Sequence, residues 1–201
     1  LAERISGDTA VGHTLAFVMA VEQATGVEVS ESDRLVRALL LELERMHNHV
    51  ADLGALANDV GYGIVNTHAQ RLRETLLRLN KAVTGHRLLR GGLSVGGARI
   101  QALPDPLLVQ QVADAVVELV AITVGSSVVR DRFEGTAVLR REQASAMGTL
   151  GYVARASGVD VDARRDHPFV DLGSSLEVTL EEAGDVMARY QLRAREVAVS
   201  V

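Results

Sequence analysis

Residues able to do chemistry crowd the start of the chain, where Glu3, Arg4, Ser6, Asp8, Thr9 and His13 fall within eleven positions. Two hydroxyls followed by a histidine offer a nucleophile with a base. No nucleophile elbow and no third member of a triad accompanies them, so acyl transfer has little to build on. The same residues also suit the start of a helix, with Asp8 or Thr9 as N-cap and Gly7 relaxing the turn.

Other clusters carry weaker signals. His47 and His49 look like a metal pair, but residues two apart lie about 200° apart around a helix and cannot share an ion. With His68 and His86 they read as interhelical hydrogen-bonding or surface residues. The run Gly91-Gly92-Leu93-Ser94-Val95-Gly96-Gly97 lacks the Gly-Lys-Ser/Thr of a phosphate-binding loop and marks a tight backbone passage. Glu42, Glu44 and Arg45 read as a solvated charged face. From Arg155 to Pro168 stand three arginines, three aspartates and a histidine. They form either a ladder of surface ion pairs of small worth or a loop locked against a partner or lining a proton path.

Elements must position these groups, and glycine and proline punctuate them clearly. A helix is predicted over 12–25, with Leu15, Val18, Met19 and Glu22 at helical spacing and Gly26 as its stop. Ser30 is a candidate N-cap for a second, with Glu31 and Asp33 in its first turn. In that helix Leu39, Leu43, Met46, Val50, Leu53, Ala57 and Val60 alternate spacings of four and three, which makes a packing seam. Gly61 and Gly63 end it. A third helix spans 67–84, with Leu72, Leu76, Leu79 and Val83 inside and Arg71, Arg73, Arg78 and Lys81 outside. A fourth follows Pro104-Asp105-Pro106 and is apolar nearly all round, which predicts a central place. Residues 130–158 break into short pieces, including a helix over 141–147. A short strand is predicted over 176–180 and a last helix over 184–200. Short connections argue for one mainly α domain over 1–201: an antiparallel helical bundle with a small irregular lobe.

Composition narrows the function classes. The 201 residues are 47% hydrophobic, enough for a sizeable core. Net charge is −5, and no basic run reaches five residues, so nucleic acid is not an expected partner. Cysteine is absent, which removes disulfides, iron–sulfur ligation and thiolate metal sites from this chain. The most apolar stretch, 112–129, contains Asp114 and Glu118. Each would cost about 2.5–3.5 kcal/mol at a bilayer centre, so a buried helix is expected there. The chain opens on Leu1 inside a motif, which suggests a piece of a longer large subunit whose cut edges favour dimers in isolation.

The opening run fits the pattern E-R-x-C-G-x-C-x-x-x-H, with Ser6 and Thr9 at the two cysteine positions. Further matches follow in order: 37–45 with His49, Thr84-Gly85-His86-Arg87, Gly91-Gly92, Arg155-Ala156-Ser157-Gly158, 162–168, and Gly184-Asp185-Val186 with Arg189. Taken together the chain resembles the large subunit of energy-converting [NiFe] hydrogenases of the formate hydrogenlyase subunit 5 type. It is similar too to the quinone-site (D-type) subunit of NADH:quinone oxidoreductase, complex I.

That resemblance implies an oxidoreductase subunit in a membrane-associated electron-transfer complex, peripheral at the cytoplasmic face. Its partners would be an iron–sulfur small subunit, which carries the cluster, and membrane subunits; NADH would act only indirectly through the complex. It marks Glu3, Arg4 and His13 as inherited catalytic positions: Glu3 passes protons, Arg4 flanks the metal pocket and His13 lies behind the ligands. Ser6 and Thr9 take the ligand positions. Phe17 takes the place of a tyrosine that helps hold a quinone headgroup, keeping the ring without the hydroxyl donor. No cofactor is expected in the chain itself, and nickel is not expected, because a hydroxyl cannot replace thiolate sulfur in soft-metal chemistry. A quinone is the ligand that this pocket would take. The alternative is a non-catalytic scaffold subunit of such a complex.

Overall fold

The computed structural model describes all residues, 1–201, and is mainly α-helical. Nine helices follow in order: α1 Ala10–Thr25, α2 Glu31–Asp59, α3 Gly63–Thr84, α4 Pro106–Gly125, α5 Ser127–Phe133, α6 Arg141–Ala146, α7 Gly151–Ala156, α8 Ala163–Asp166 and α9 Val186–Val199. A 3-10 turn over Ala2–Arg4 precedes them. The only strands are β1 Leu93–Ser94 and β2 Gly97–Ala98, antiparallel, with Leu93 opposite Ala98 and Ser94 opposite Gly97.

The chain forms two compact units. The first comprises Leu1–Asn48, Arg73–Val112 and Ser200. Val11, Leu15 and Val18 of α1, Leu40, Leu43 and Met46 of α2, and Leu76, Leu79 and Val83 of α3 are buried there. Gly26 ends α1 in the left-handed conformation, and its N–H donates to the Glu22 carbonyl. Ser30 caps α2 by accepting from the Asp33 N–H at 3.1 Å. The seam of α2 enters the core at Arg37 and Leu40; Leu39 is only half-buried.

Arg37 is 1% exposed and explains the glycine run. Its guanidinium donates to both Glu22 carboxylate oxygens, at 2.9 and 2.6 Å. It also donates to the Ser94 and Gly97 carbonyls of the hairpin. Glu22 in turn accepts from the Gly96 N–H, and Asp33 from the Ala98 N–H. The passage is tight as well, since a Cβ on Gly92 would lie 2.8 Å from Leu40 Cδ1. The stretch is thus a short hairpin clamped by a buried ion pair.

The second unit comprises His49–Leu72, Ala113–Val199 and Val201. Asp185 of Gly184-Asp185-Val186 stands before α9, where its carboxylate accepts from the Ala188 N–H at 2.7 Å and from the Gly135 N–H at 2.8 Å. Ala156, Ala188 and Leu192 form a small core, with Tyr152 packed against it.

Three expectations need correction. α4 does not bury itself: only 33% of its most apolar window is inside. Leu107, Val117 and Ile122 are 72, 60 and 59% exposed. The buried stripe is Val109, Val112, Ala113, Val116, Leu119 and Thr123. By length and composition alone, α4 could cross a membrane. Residues 176–180 form no strand, because no neighbouring strand offers a ladder for their backbone. A 3-10 turn over Gly173–Ser175 precedes them instead. α3, finally, starts at Gly63, four residues before the predicted 67.

Candidate functional site

The turn entering α1 brings Ser6, Asp8 and Thr9 together. Ser6 donates its hydroxyl to Asp8 Oδ1 at 2.5 Å, and Thr9 donates to the same oxygen at 3.3 Å. One carboxylate oxygen therefore stands between the side chains of positions 6 and 9. These bonds, the Ser6 bond foremost, hold the Asp8 carboxyl below its usual range. The protons of both hydroxyls go to Asp8 rather than to His13, so the nucleophile–base pair does not form.

Thr9 occupies the N-cap position but its side chain caps nothing. The capping group comes from α2. Glu44, buried among apolar neighbours, accepts from the Val11 N–H at 2.6 Å and the Gly12 N–H at 2.8 Å. A carboxylate there satisfies free helix donors and faces the positive end of the helix dipole. Burial pushes the Glu44 carboxyl up, opposed by those N–H bonds. Glu44 is thus no solvated residue. Of the expected charged face, Glu42 and Arg45 pair at 2.6 Å, with Ser200 bonded to both.

His47 lies one turn beyond Glu44 and is fully buried. Its Nδ1 is 3.1 Å from the Leu43 carbonyl and 3.2 Å from Asn80 Nδ2. Burial pushes the imidazole pKa down to about 4, with Arg73 adding to the effect and Asp8 opposing it. Next to it Asn48 donates to the Asp8 carbonyl at 3.2 Å. Glu44, His47 and Asn48 therefore form the support under the Ser6–Thr9 turn.

The other sequence-marked residues are more dispersed. Glu3 sits in the opening 3-10 turn and accepts from the Gly91 N–H, which ties the motif to the glycine run. Arg4 is exposed. His13 is half-buried, and Phe17 is 56% exposed one turn later on the same face of α1. No hydrogen bond joins Glu3, Arg4 or His13 to the Asp8 cluster. Sequence reading missed Glu44 and His47 as parts of this site. The available signal was their i, i+3 spacing on a helix with an apolar seam, which puts polar residues on a packed face.

The charged segment 155–168 is partly interior, contrary to a purely surface ladder. In the second unit Arg155 donates to Glu196 Oε1 through Nε at 2.8 Å and Nη2 at 2.6 Å. His49 Nε2 lies 2.6 Å from Glu196 Oε2, and Arg164 pairs with buried Asp162 at 2.7 Å. Arg165 with Asp160 and Asp166 makes the surface part. Also in this unit, a cavity of about 430 Å³ opens between Val65, His68 and Arg71 of α3 and Glu118, Leu119 and Ile122 of α4. None of the sequence-marked site residues lines it.

The donor set at positions 6 and 9 does not fit nickel. Both donors are hydroxyls already bonded to a carboxylate, and the chain has no thiolate to offer.

Residues 59–201 match the profile of the respiratory-chain NADH dehydrogenase 49 kDa subunit family. The chain is 34% identical to formate hydrogenlyase subunit 5 of Escherichia coli (strain K12), an alignment covering 98% of the chain and 36% of that protein. It is 33% identical to NADH-quinone oxidoreductase subunit 4 of Thermus thermophilus, covering 94% of the chain and 48% of that protein. Identity to the membrane-bound hydrogenase subunit alpha of Pyrococcus furiosus is 31%, covering 100% of the chain and 50% of that protein. The chain spans about a third to a half of the length of these relatives.

Proposed function

The chain belongs to the 49 kDa subunit family of the respiratory-chain NADH dehydrogenase and is related to hydrogenase large subunits; on that premise we propose that it serves a membrane-associated electron-transfer complex as a nickel-free component. In that role it docks an iron–sulfur subunit and shapes a quinone- or proton-handling pocket at the opening motif. The observation that carries this reading is the Ser6–Asp8–Thr9 turn. It keeps the family frame, is supported by Glu44 and His47, and replaces soft donors by hydroxyls around an ionised carboxylate. Such a turn suits proton exchange and hydrogen bonding, not metal hydride chemistry. Glu3, Arg4 and His13 are the proposed acid, charge and base positions around it, and Phe17 supplies a ring face.

The complex would sit peripherally on the cytoplasmic face of the membrane, with NADH acting only through other subunits and no nucleic acid involved. The test is purification of the full-length protein with its partners, followed by electron delivery to a short-chain quinone. Quinone reduction that falls at least tenfold in D8A, with the complex intact, supports the reading. A wild-type complex that reduces no quinone, and that assembles equally well with D8A, points instead to a scaffold. The saturated hydrogen bonding of Ser6 and Thr9 on Asp8 is the observation that favours this second reading.

A further inference from the structure

The cavity of the second unit has a lining sorted by depth. Val65 and Leu119 are buried at its floor, with Leu72 half-buried beside them. On α3, Ile64, His68 and Arg71 recur at spacings of four and three, so they share the outer row of one helix face. On α4, Glu118 and Ile122 stand four apart and form a second outer row across the cavity. Ile64 and Ile122 are 62 and 59% exposed, so the apolar lining continues from the floor onto the lip. The volume, about 430 Å³, falls within the range of small-ligand sites, roughly 300–1,000 Å³.

The charges on the two walls restrict what can enter. Neither His68 nor Glu118 takes an ion pair within the chain. A purely apolar ligand would strip water from these polar groups and give nothing back. An anion would find the donors of His68 and Arg71 but meet the Glu118 carboxylate, and a cation would meet the reverse. A zwitterion suits both walls: its anionic oxygens accept from His68 and Arg71, and its ammonium donates to Glu118. A free zwitterion would leave the two isoleucines and the floor in water, whereas an attached acyl chain covers them. The wall helix matches such a chain, since α4 is long and apolar enough to cross a membrane and only 33% of its most apolar window is inside.

We propose that the cavity between α3 and α4 binds one zwitterionic aminophospholipid. Its phosphate lies against His68 and Arg71, and its ammonium against Glu118. One acyl chain runs over Val65, Leu72 and Leu119 and leaves between Ile64 and Ile122. The site is separate from the opening-motif pocket and does not depend on what that pocket does.

Calorimetric titration of the full-length protein, in its complex and alone, tests this with dihexanoyl phosphatidylethanolamine kept below its micellar concentration. One molecule should bind per chain. E118K should weaken binding about tenfold, as expected for one lost charge-assisted hydrogen bond. I122D, which places a charge where the acyl chain leaves, should weaken it as well. Both side chains are exposed, so each variant should keep the wild-type far-UV spectrum. Dihexanoyl phosphatidylglycerol, which lacks the ammonium, should bind the wild type more weakly and gain affinity in E118K, a reversal that a merely structural Glu118 would not produce. Phosphoethanolamine without chains should bind roughly tenfold more weakly than the lipid. Equal binding of phosphoethanolamine overturns the lipid assignment in favour of a free zwitterion. Binding to the isolated protein but not to the complex overturns it in favour of a partner's apolar segment as the occupant. No saturable binding, or affinities that E118K and I122D leave unchanged, overturns the site itself.

Discussion

His47 and His49 stand two residues apart on α2, yet their surroundings make opposite uses of a histidine. His49 meets the Glu196 carboxylate, which Arg155 also grips with two N–H groups, and every charge in that group has a partner. Arg193 adds to the same unit by stacking 3.7 Å over the Tyr152 ring while its Nε donates to Asp52. His47 is buried and neutral at pH 7, with the Leu43 carbonyl and the Asn80 amide beside Nδ1 and no charged partner of its own in contact. A saturated buried ion network fixes structure, because its members have nothing left to offer a ligand. A solvent-facing turn of two hydroxyls around one carboxylate, carried on a neutral ring, has acceptors left to offer. The His49–Glu196–Arg155 network thus reads as architecture, and the Ser6–Asp8–Thr9 turn above His47 as the candidate site.

Breaking the saturated side should have the largest effect. In E196A, His49 loses its anion and Arg155 keeps only Asp162 as a counter-ion, at 3.6 Å. Urea unfolding should show a loss of about 3–5 kcal/mol, as for other buried pairs deprived of one partner. A loss below about 1 kcal/mol would mean that the network is solvated and the contrast false.

Next comes the pH dependence of the neutral, buried histidine. The His47 pKa falls from 6.5 to about 4 on folding, so the unfolded chain binds the proton first. The stability that this residue contributes is full above pH about 6.5 and disappears as pH falls towards 4. The swing should be on the order of 3 kcal/mol at most. Unfolding at pH 7 and pH 5 should show a steeper loss in wild type than in H47Q.

E44Q should be milder. It keeps one acceptor for the Val11 and Gly12 N–H groups but turns an amide donor towards the other. We expect a loss of about 1–3 kcal/mol, with faster amide exchange confined to the first turn of α1. The smallest change is expected for S6A, on an exposed turn. Stability should move by no more than about 0.5 kcal/mol, but the Asp8 carboxyl, relieved of its main hydrogen bond, should titrate higher by NMR.

Local rules made the helices legible. Gly26, Ser30 and Gly61 mark ends that the structure keeps, and the spacing from Leu43 to Ala57 marks a buried seam. The opening motif and the charged 155–168 segment were visible as residue patterns. Glu44 and Arg37 were not visible as interior groups, because charge suggests solvent unless the distant partner is known. Glu44's partners are backbone N–H groups of residues 11 and 12, which every sequence possesses. α4 misled for the opposite reason: apolarity all round predicts burial, yet only the Val109–Thr123 stripe is covered. The alternation Leu176, Val178, Leu180 fits a strand, but strand formation depends on a neighbour that local sequence does not reveal.

The central claim is that the frame of positions 3–13 has exchanged soft-metal chemistry for a hydroxyl–carboxylate turn. Metal analysis of the full-length protein, purified in its complex from cells supplied with nickel, tests this most directly. The account predicts no stoichiometric nickel, with or without the S6A change. One nickel per chain that is lost in S6A or T9A would contradict it.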